Sequence, residues 1–265
     1  VFPATTAALL DVFGDELGGA DLLLIGEAPH YTAEIPAWVA GVAIPALYEA
    51  GGRLYLAEDN HAYGWLVDAY FQGRLNHADL QVSARLRSVL REGLRRLNDT
   101  SPVGGPIRVE NVDLNHFPWA FRESVRALGQ QVELNGLLED ALALQFGGAD
   151  VPSLADEPDG RSIALAQRRA IAVERPHVTG YVAALRDVLD ALARREAAYR
   201  GSFGDYWFET LRDLLRVEIA SARFRQSPSM RRREELMREN IERALGREEG
   251  PALALLGAAH AERSP

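Results

Sequence analysis

The sequence predicts an α/β fold: a mainly parallel central sheet flanked by helices, with a helical insertion covering the cleft at the carboxyl ends of the strands. Three observations lead there. Four short apolar runs, at residues 22–25, 54–57, 107–112 and 253–256, have the length and the Leu, Ile and Val content of buried strands. Helical patterns separate them, and strands that alternate with helices pair in parallel through crossover connections. The turn-rich, acidic segment 147–160 (GGADVPSLADEPDG) marks a loop or the edge of an inserted group of helices. The expected division is residues 1–146 with 230–265 as the α/β core, and residues 147–229 as a helical insertion or lid.

Each element has its own signal. The runs LLLI, LYLA, IRVENV and LALL supply the strands, and each is followed by small or polar residues. Residues 163–173 and 182–198 read as helices, and Pro176 and Gly180 between them predict a break. Trp207, Phe208, Leu211, Leu214, Leu215, Ile219 and Ala222 repeat at three-and-four spacing, which predicts one helix with an apolar stripe. Arg233, Met237 and Asn240 fall on one face of a further helix.

Bulk composition narrows the function classes. The chain has 265 residues, 47% hydrophobic and 25% charged, which suits a globular protein with a substantial core. No run approaches the roughly 18 apolar residues of a membrane span. A net charge of −9 argues against nucleic acid as a partner, because polyanion affinity depends on clustered cations. The expected partner is a small-molecule or peptide substrate. There is no lysine, so Schiff-base and P-loop lysine chemistry is excluded. There is no cysteine, which excludes disulfides, thiolate nucleophiles and sulfur-ligated metal centres. The opening residues lack the layout of a signal peptide, so a cytoplasmic protein is expected, with a leader cleaved upstream of Val1 as the alternative.

In open parallel sheets, ligands gather where the loops converge at the carboxyl ends of the strands. Glu27 and His30 follow the first run, with Glu34 beyond. Glu58 and His61 follow the second, Asp113 and His116 the third, and His260 the fourth. Four of the six histidines thus fall at strand ends. A histidine held by a carboxylate can take a proton from water and return it to a leaving group. The same side chains could instead hold iron, manganese or zinc. Serine-hydrolase elbows, helical His-Glu-x-x-His sites and phosphate loops are absent. The Glu27-x-x-His30 and Glu58-x-x-His61 spacings are expected on loops.

At these residues the chain resembles the erythromycin esterase, ChaN and TraB/Tiki-like superfamily. Residues 25–34 (IGEAPHYTAE) resemble the first esterase motif, Gly-Glu-x-x-His with a further Glu. Residues 56–58 (LAE) resemble the second strand, Val112 and Asp113 the third, and residues 255–260 (LLGAAH) the last. Residues 233–240 (REELMREN) resemble the Arg-Asp-x-x-Met-x-x-Asn helix, with Glu234 in place of the aspartate. The resemblance implies that His30 activates water beside Glu27 and Glu58, with Arg233 and His260 around the reacting centre. Asn240, Glu34 and Asp113 would bind or orient the substrate.

The chain is much shorter than a typical macrolide esterase. Residues 60–73 (NHAYGWLVDAYFQG) and 260–263 (HAER) are closer to ChaN-type haem-uptake proteins, and Gly257 to His260 are similar to the last motif of TraB/Tiki proteins. Three functions follow from the resemblance. The first is a hydrolase of esters, lactones or amides that requires no cofactor. The second is a haem-binding protein with an axial tyrosine or histidine, for which Tyr31, Tyr63 and Tyr70 stand near the first two strands. The third is a metal-dependent enzyme with Glu27, His30, Glu58, His61 and His260 as ligands.

Plainer roles are expected elsewhere. His77, His116 and His177 read as structural or surface residues. Trp38, Trp119, Tyr206, Trp207 and Phe208 read as core. Arg233 sits in an arginine run, the usual mark of a solvated face.

Overall fold

A computed structural model describes residues 3–27, 34–72, 74–75, 97, 107–129, 136–149 and 160–257. The four expected strands are present as β1 (Leu22–Glu27), β2 (Leu54–Asn60), β3 (Arg108–Asp113) and β4 (Ala252–Gly257), in an all-parallel sheet ordered β1-β4-β2-β3. The fold is therefore the expected α/β class, with helix predominating.

The chain divides into two compact units. One comprises Val1–Asp59, Tyr63–Asp113 and Met237–Pro265; the other comprises Asn60–Ala62 and Leu114–Leu236. Residues 147–229 fall wholly within the second.

The first unit holds the sheet. Strands covered on both faces read as continuous apolar runs, which is why LLLI and LALL lack polar alternation. One face carries Ile25, Tyr55, Ala57, Leu253, Leu255, Ile107 and Val109. It is covered by α1 (Thr6–Gly19), α2 (Glu34–Trp38), a π-helical turn (Val39–Ala43), α3 (Ile44–Glu49) and α4 (His61–Phe71). Val39, Ile44, Leu47, Val67 and Phe71 pack there. The other face carries Leu54, Leu56, Ala252, Ala254, Leu256 and Val112, against Met237, Ile241, Ala244 and Leu245.

These faces fix the topology at the carboxyl edge. The chain leaves β2 through α4 on the first face. It enters β4 from the helix containing Met237 to Leu245, on the second. Connections from the neighbouring strands β2 and β3 thus serve opposite faces, and such a switch point is where open α/β sheets leave a crevice for ligands.

The second unit is helical. It contains α5 (Pro118–Leu128), α6 (Gly136–Leu144), α7 (Gly160–Glu174), a 3₁₀ turn (Arg175–His177), α8 (Val178–Arg194), α9 (Glu196–Phe203) and α10 (Asp205–Gln226). Helix α11 (Met230–Leu245) begins in this unit and ends in the first. Phe121, Val125, Tyr181, Leu185, Phe208, Leu211 and Leu215 form its apolar interior.

Three expectations change. The break between α7 and α8 falls at Arg175–His177, where Pro176 has no N–H to give. Gly180 is absorbed into α8, because a lone glycine weakens a helix without ending it. The run expected at 182–198 is split at Arg195, with φ −122°. No glycine or proline marks that corner. Beyond it, Arg200 pairs with Glu196 on its own helix at 2.7 Å and ties α9 to α10 through Asp205 at 2.8 Å and Glu209. Along α10, Trp207 and Ile219 are only half-buried, whereas Glu218, Ser221 and Arg225 lie fully inside. Among the described residues, no helix is long and apolar enough to cross a membrane.

Candidate active site at the carboxyl ends of the strands

Parallel pairing brings distant segments together at this edge. Register between β1 and β4 runs from Leu22↔Ala252 to Glu27↔Gly257. Register between β2 and β4 runs from Leu54↔Ala252 only to Ala57↔Leu255. The ladder on that side therefore stops two residues before β4 ends, while β2 continues to Asn60. The Gly257 N–H donates instead to Oε2 of Glu58. A carboxylate side chain takes over where the backbone ladder lapses, joining β2 to β4 across 199 residues of sequence. A hydrogen bond to an ionised acceptor is roughly twice as strong as a neutral one, so this contact fixes the half-buried Glu58 as well as the strand end.

Glu27 closes β1 opposite Gly257. Glu58 lies inside β2 and His61 is the first residue of α4, so that Glu-x-x-His spacing spans a strand-to-helix junction, where a loop was expected. Asp113 ends β3 and is 4% exposed. Asn240 donates from Nδ2 to the Val112 carbonyl at 2.9 Å and accepts from Arg243 at 3.0 Å, tying α11 to the end of β3 beside Asp113. Arg233 is half-buried on α11, whereas Arg231 and Arg232 are exposed and pair with Glu235 at 3.0 and 3.1 Å. Glu34 opens α2 and is exposed. Tyr63 is buried within α4, and Tyr70 meets Phe71 edge-on at 5.4 Å. His30, His260, Tyr31, His77 and the side chain of Glu27 lie outside the described residues. Among the described residues, no group of three His, Cys, Asp or Glu gathers as a metal site.

The plainer assignments hold in part, since Tyr206 and Trp207 are only half-buried. Trp119 and Phe208 are buried. The Trp38 indole N–H, half-buried, donates to the Pro3 carbonyl at 2.6 Å. His116 meets the Phe224 ring edge-on at 6.0 Å.

Sequence reasoning missed one constellation altogether. In the helical unit, Arg225 donates to Glu174 through Nε (2.8 Å) and Nη2 (2.6 Å). It also reaches Glu218 (2.7 Å) and the Asn115 carbonyl (2.6 Å). All three charged side chains are at most 2% exposed. Burial pushes the Glu218 carboxyl up from its ordinary value, and pushes the Tyr181 phenol well above its own. The available signal was a glutamate and an arginine seven apart on the stripe of α10 that also carries Leu211 and Ala222.

No protein-family model matches the chain, and no curated protein matches it by sequence. Solved structures do. A protein from Bacillus cereus aligns with a TM-score of 0.66 at 14% identity, over 95% of this chain and 60% of its own. A succinoglycan biosynthesis protein aligns at 0.65 and 12% identity, over 97% and 62%. An erythromycin esterase, a mutant in its open conformation, aligns at 0.62 and 14% identity, over 94% and 64%. The chain spans 60–64% of the length of these proteins. Its fold is the one it shares with erythromycin esterase.

Proposed function

We propose that the protein is a hydrolase in which His30, oriented by Glu27 or Glu58, activates a water molecule against an ester, lactone or amide carbonyl. The imidazole takes a proton from the water as the oxygen attacks. His260 steadies the oxyanion of the tetrahedral intermediate. The imidazolium then returns the proton to the departing alcohol or amine, and a carboxylic acid is released.

The observation that carries this reading is the register Glu27↔Gly257. His30 and His260 each stand three residues beyond one of these paired strand ends. Three residues reach at most about 10 Å, and adjacent strands are about 4.8 Å apart. Both imidazoles are thus tethered to one short stretch of the sheet edge, with Glu58 anchored on the next strand. The fold shared with erythromycin esterase agrees with this chemistry without specifying the substrate.

The test is hydrolysis of p-nitrophenyl acetate and a panel of small lactones by the purified chain and by His30→Ala, with circular dichroism as a check on folding. Loss of general-base catalysis lowers kcat/KM by about 10²–10⁴-fold. Full activity in a folded His30→Ala protein overturns the proposal, as does a wild-type chain that hydrolyses nothing above buffer.

A further inference from the structure

The missed network reaches the start of α4 through Asn115. Asn115 donates from Nδ2 to Glu218 Oε2 at 2.8 Å, and its Oδ1 accepts the Ala62 N–H at 2.7 Å. That N–H belongs to the first turn of α4, beside His61, where β2 passes into the helix. Asn60 caps the same N–H from 3.2 Å, and Ser124 donates to the Ala62 carbonyl at 2.6 Å. Helix starts are ordinarily capped by one local side chain. Here the local cap is doubled by a residue 53 positions away, itself held by buried charges.

Orientation passes along this chain of bonds. Arg225 and the Tyr181 hydroxyl both donate to Glu218 Oε1, at 2.7 and 3.2 Å, so Oε2 is left for Asn115. An acceptor there requires the Asn115 NH₂, which turns its carbonyl oxygen toward Ala62. We propose that Glu218 and Asn115 are positioning residues: they set the backbone of the Asn60–Ala62 turn, which begins two residues beyond Glu58, for the hydrolytic reaction. This role rests on the reading given under Proposed function. The charges that face Glu218 are Arg225 on its own helix and Glu174 on α7, with Tyr181 on α8.

The test is Glu218→Gln in the full chain. The substitution is isosteric and removes one of two carboxylates that share a single guanidinium, so a purely structural role predicts unchanged or improved stability. A positioning role predicts otherwise. Arg225 and Tyr181 keep the Gln oxygen, its NH₂ faces Asn115, and the Asn115 amide must turn over and present a donor to the Ala62 N–H. The expected result is exchange of the Ala62 amide hydrogen about tenfold faster, measured by NMR, and kcat about tenfold lower at unchanged KM. Asn115→Ala should do the same, and the double variant no more than either single one. Unchanged Ala62 exchange in folded Glu218→Gln overturns the positioning role. If the wild-type chain hydrolyses nothing, the hydrolase reading fails, and the Ala62 exchange rate still decides whether these residues set the turn.

Discussion

Replacing Arg225 by methionine should be among the most damaging single changes available outside the sheet. Its guanidinium makes four hydrogen bonds of 2.6–2.8 Å, three of them to the carboxylates of Glu174 and Glu218. Those side chains are 1% and 0% exposed. Methionine fills much of the volume, so the cost is the charge left behind. Removing one partner of a buried ion pair costs about 3–5 kcal/mol. A chain of this size typically unfolds with about 5–15 kcal/mol, and loses about 2–4 °C of Tm per kcal/mol. The expected fall in Tm is then about 6–20 °C at pH 7.5.

The defect should also depend on pH, with a defined sign. Without the cation, burial acts unopposed on the Glu218 carboxyl and holds its folded pKa above that of the unfolded chain. A raised group favours the folded state fully below its unfolded pKa, near 4.3, and loses that contribution as pH climbs through the folded value. Each carboxyl that keeps its proton only when folded alters stability by about 1.4 kcal/mol per pH unit. Arg225→Met should therefore be much closer to wild type at pH 5 than at pH 7.5, and adding Glu174→Gln and Glu218→Gln should restore most of the loss. Thermal melts at both pH values decide the matter. A loss under 3 °C at pH 7.5, or an equal loss at both, refutes the account of Arg225 as the counter-charge of this cluster.

Two further predictions concern the sheet unit. A Cβ added to Gly64 on α4 would lie 2.8 Å from the Asn111 backbone nitrogen and 3.0 Å from its Cβ. Overpacking of about 1–3 kcal/mol should outweigh the gain of about 1 kcal/mol in helix propensity, so Gly64→Ala should lower the urea midpoint, and a rise would show that α4 can back away from β3. Glu58→Gln keeps an acceptor for the Gly257 N–H but removes the charge. Its stability should fall by only about 1 kcal/mol, while kcat/KM for ester hydrolysis falls at least about 100-fold; activity within threefold of wild type would remove Glu58 from the reaction.

What could be read from the sequence followed from burial. Runs such as 22–25 and 252–256 pack on both faces of the sheet, so they are uniformly apolar and stand out without any partner being known. Their order was not readable. That β4 lies between β1 and β2 depends on contacts across nearly the whole chain, and a run of leucines specifies burial without naming its neighbour. The corner at Arg195 was hidden because no glycine or proline stands there to mark it. Glu218 and Arg225 were hidden for the opposite reason. A charge on a helix is normally solvated, and nothing in the local sequence shows that Arg225 is held inside by Glu174, 51 residues away, as well as by Glu218.

The strand order has a consequence for the site that no single motif carries. Placing the last strand between the first two makes the end of β4 the common neighbour of both Glu27 and Glu58: Glu27 is its partner in register, and Glu58 holds its final N–H. Across two strand spacings the backbones of those glutamates stand about 10 Å apart. The Glu58 carboxylate already spans one of those two spacings to reach the Gly257 N–H. A glycine at position 257 suits that arrangement, since its N–H can be approached by the Glu58 carboxylate without a side chain of its own crowding the edge.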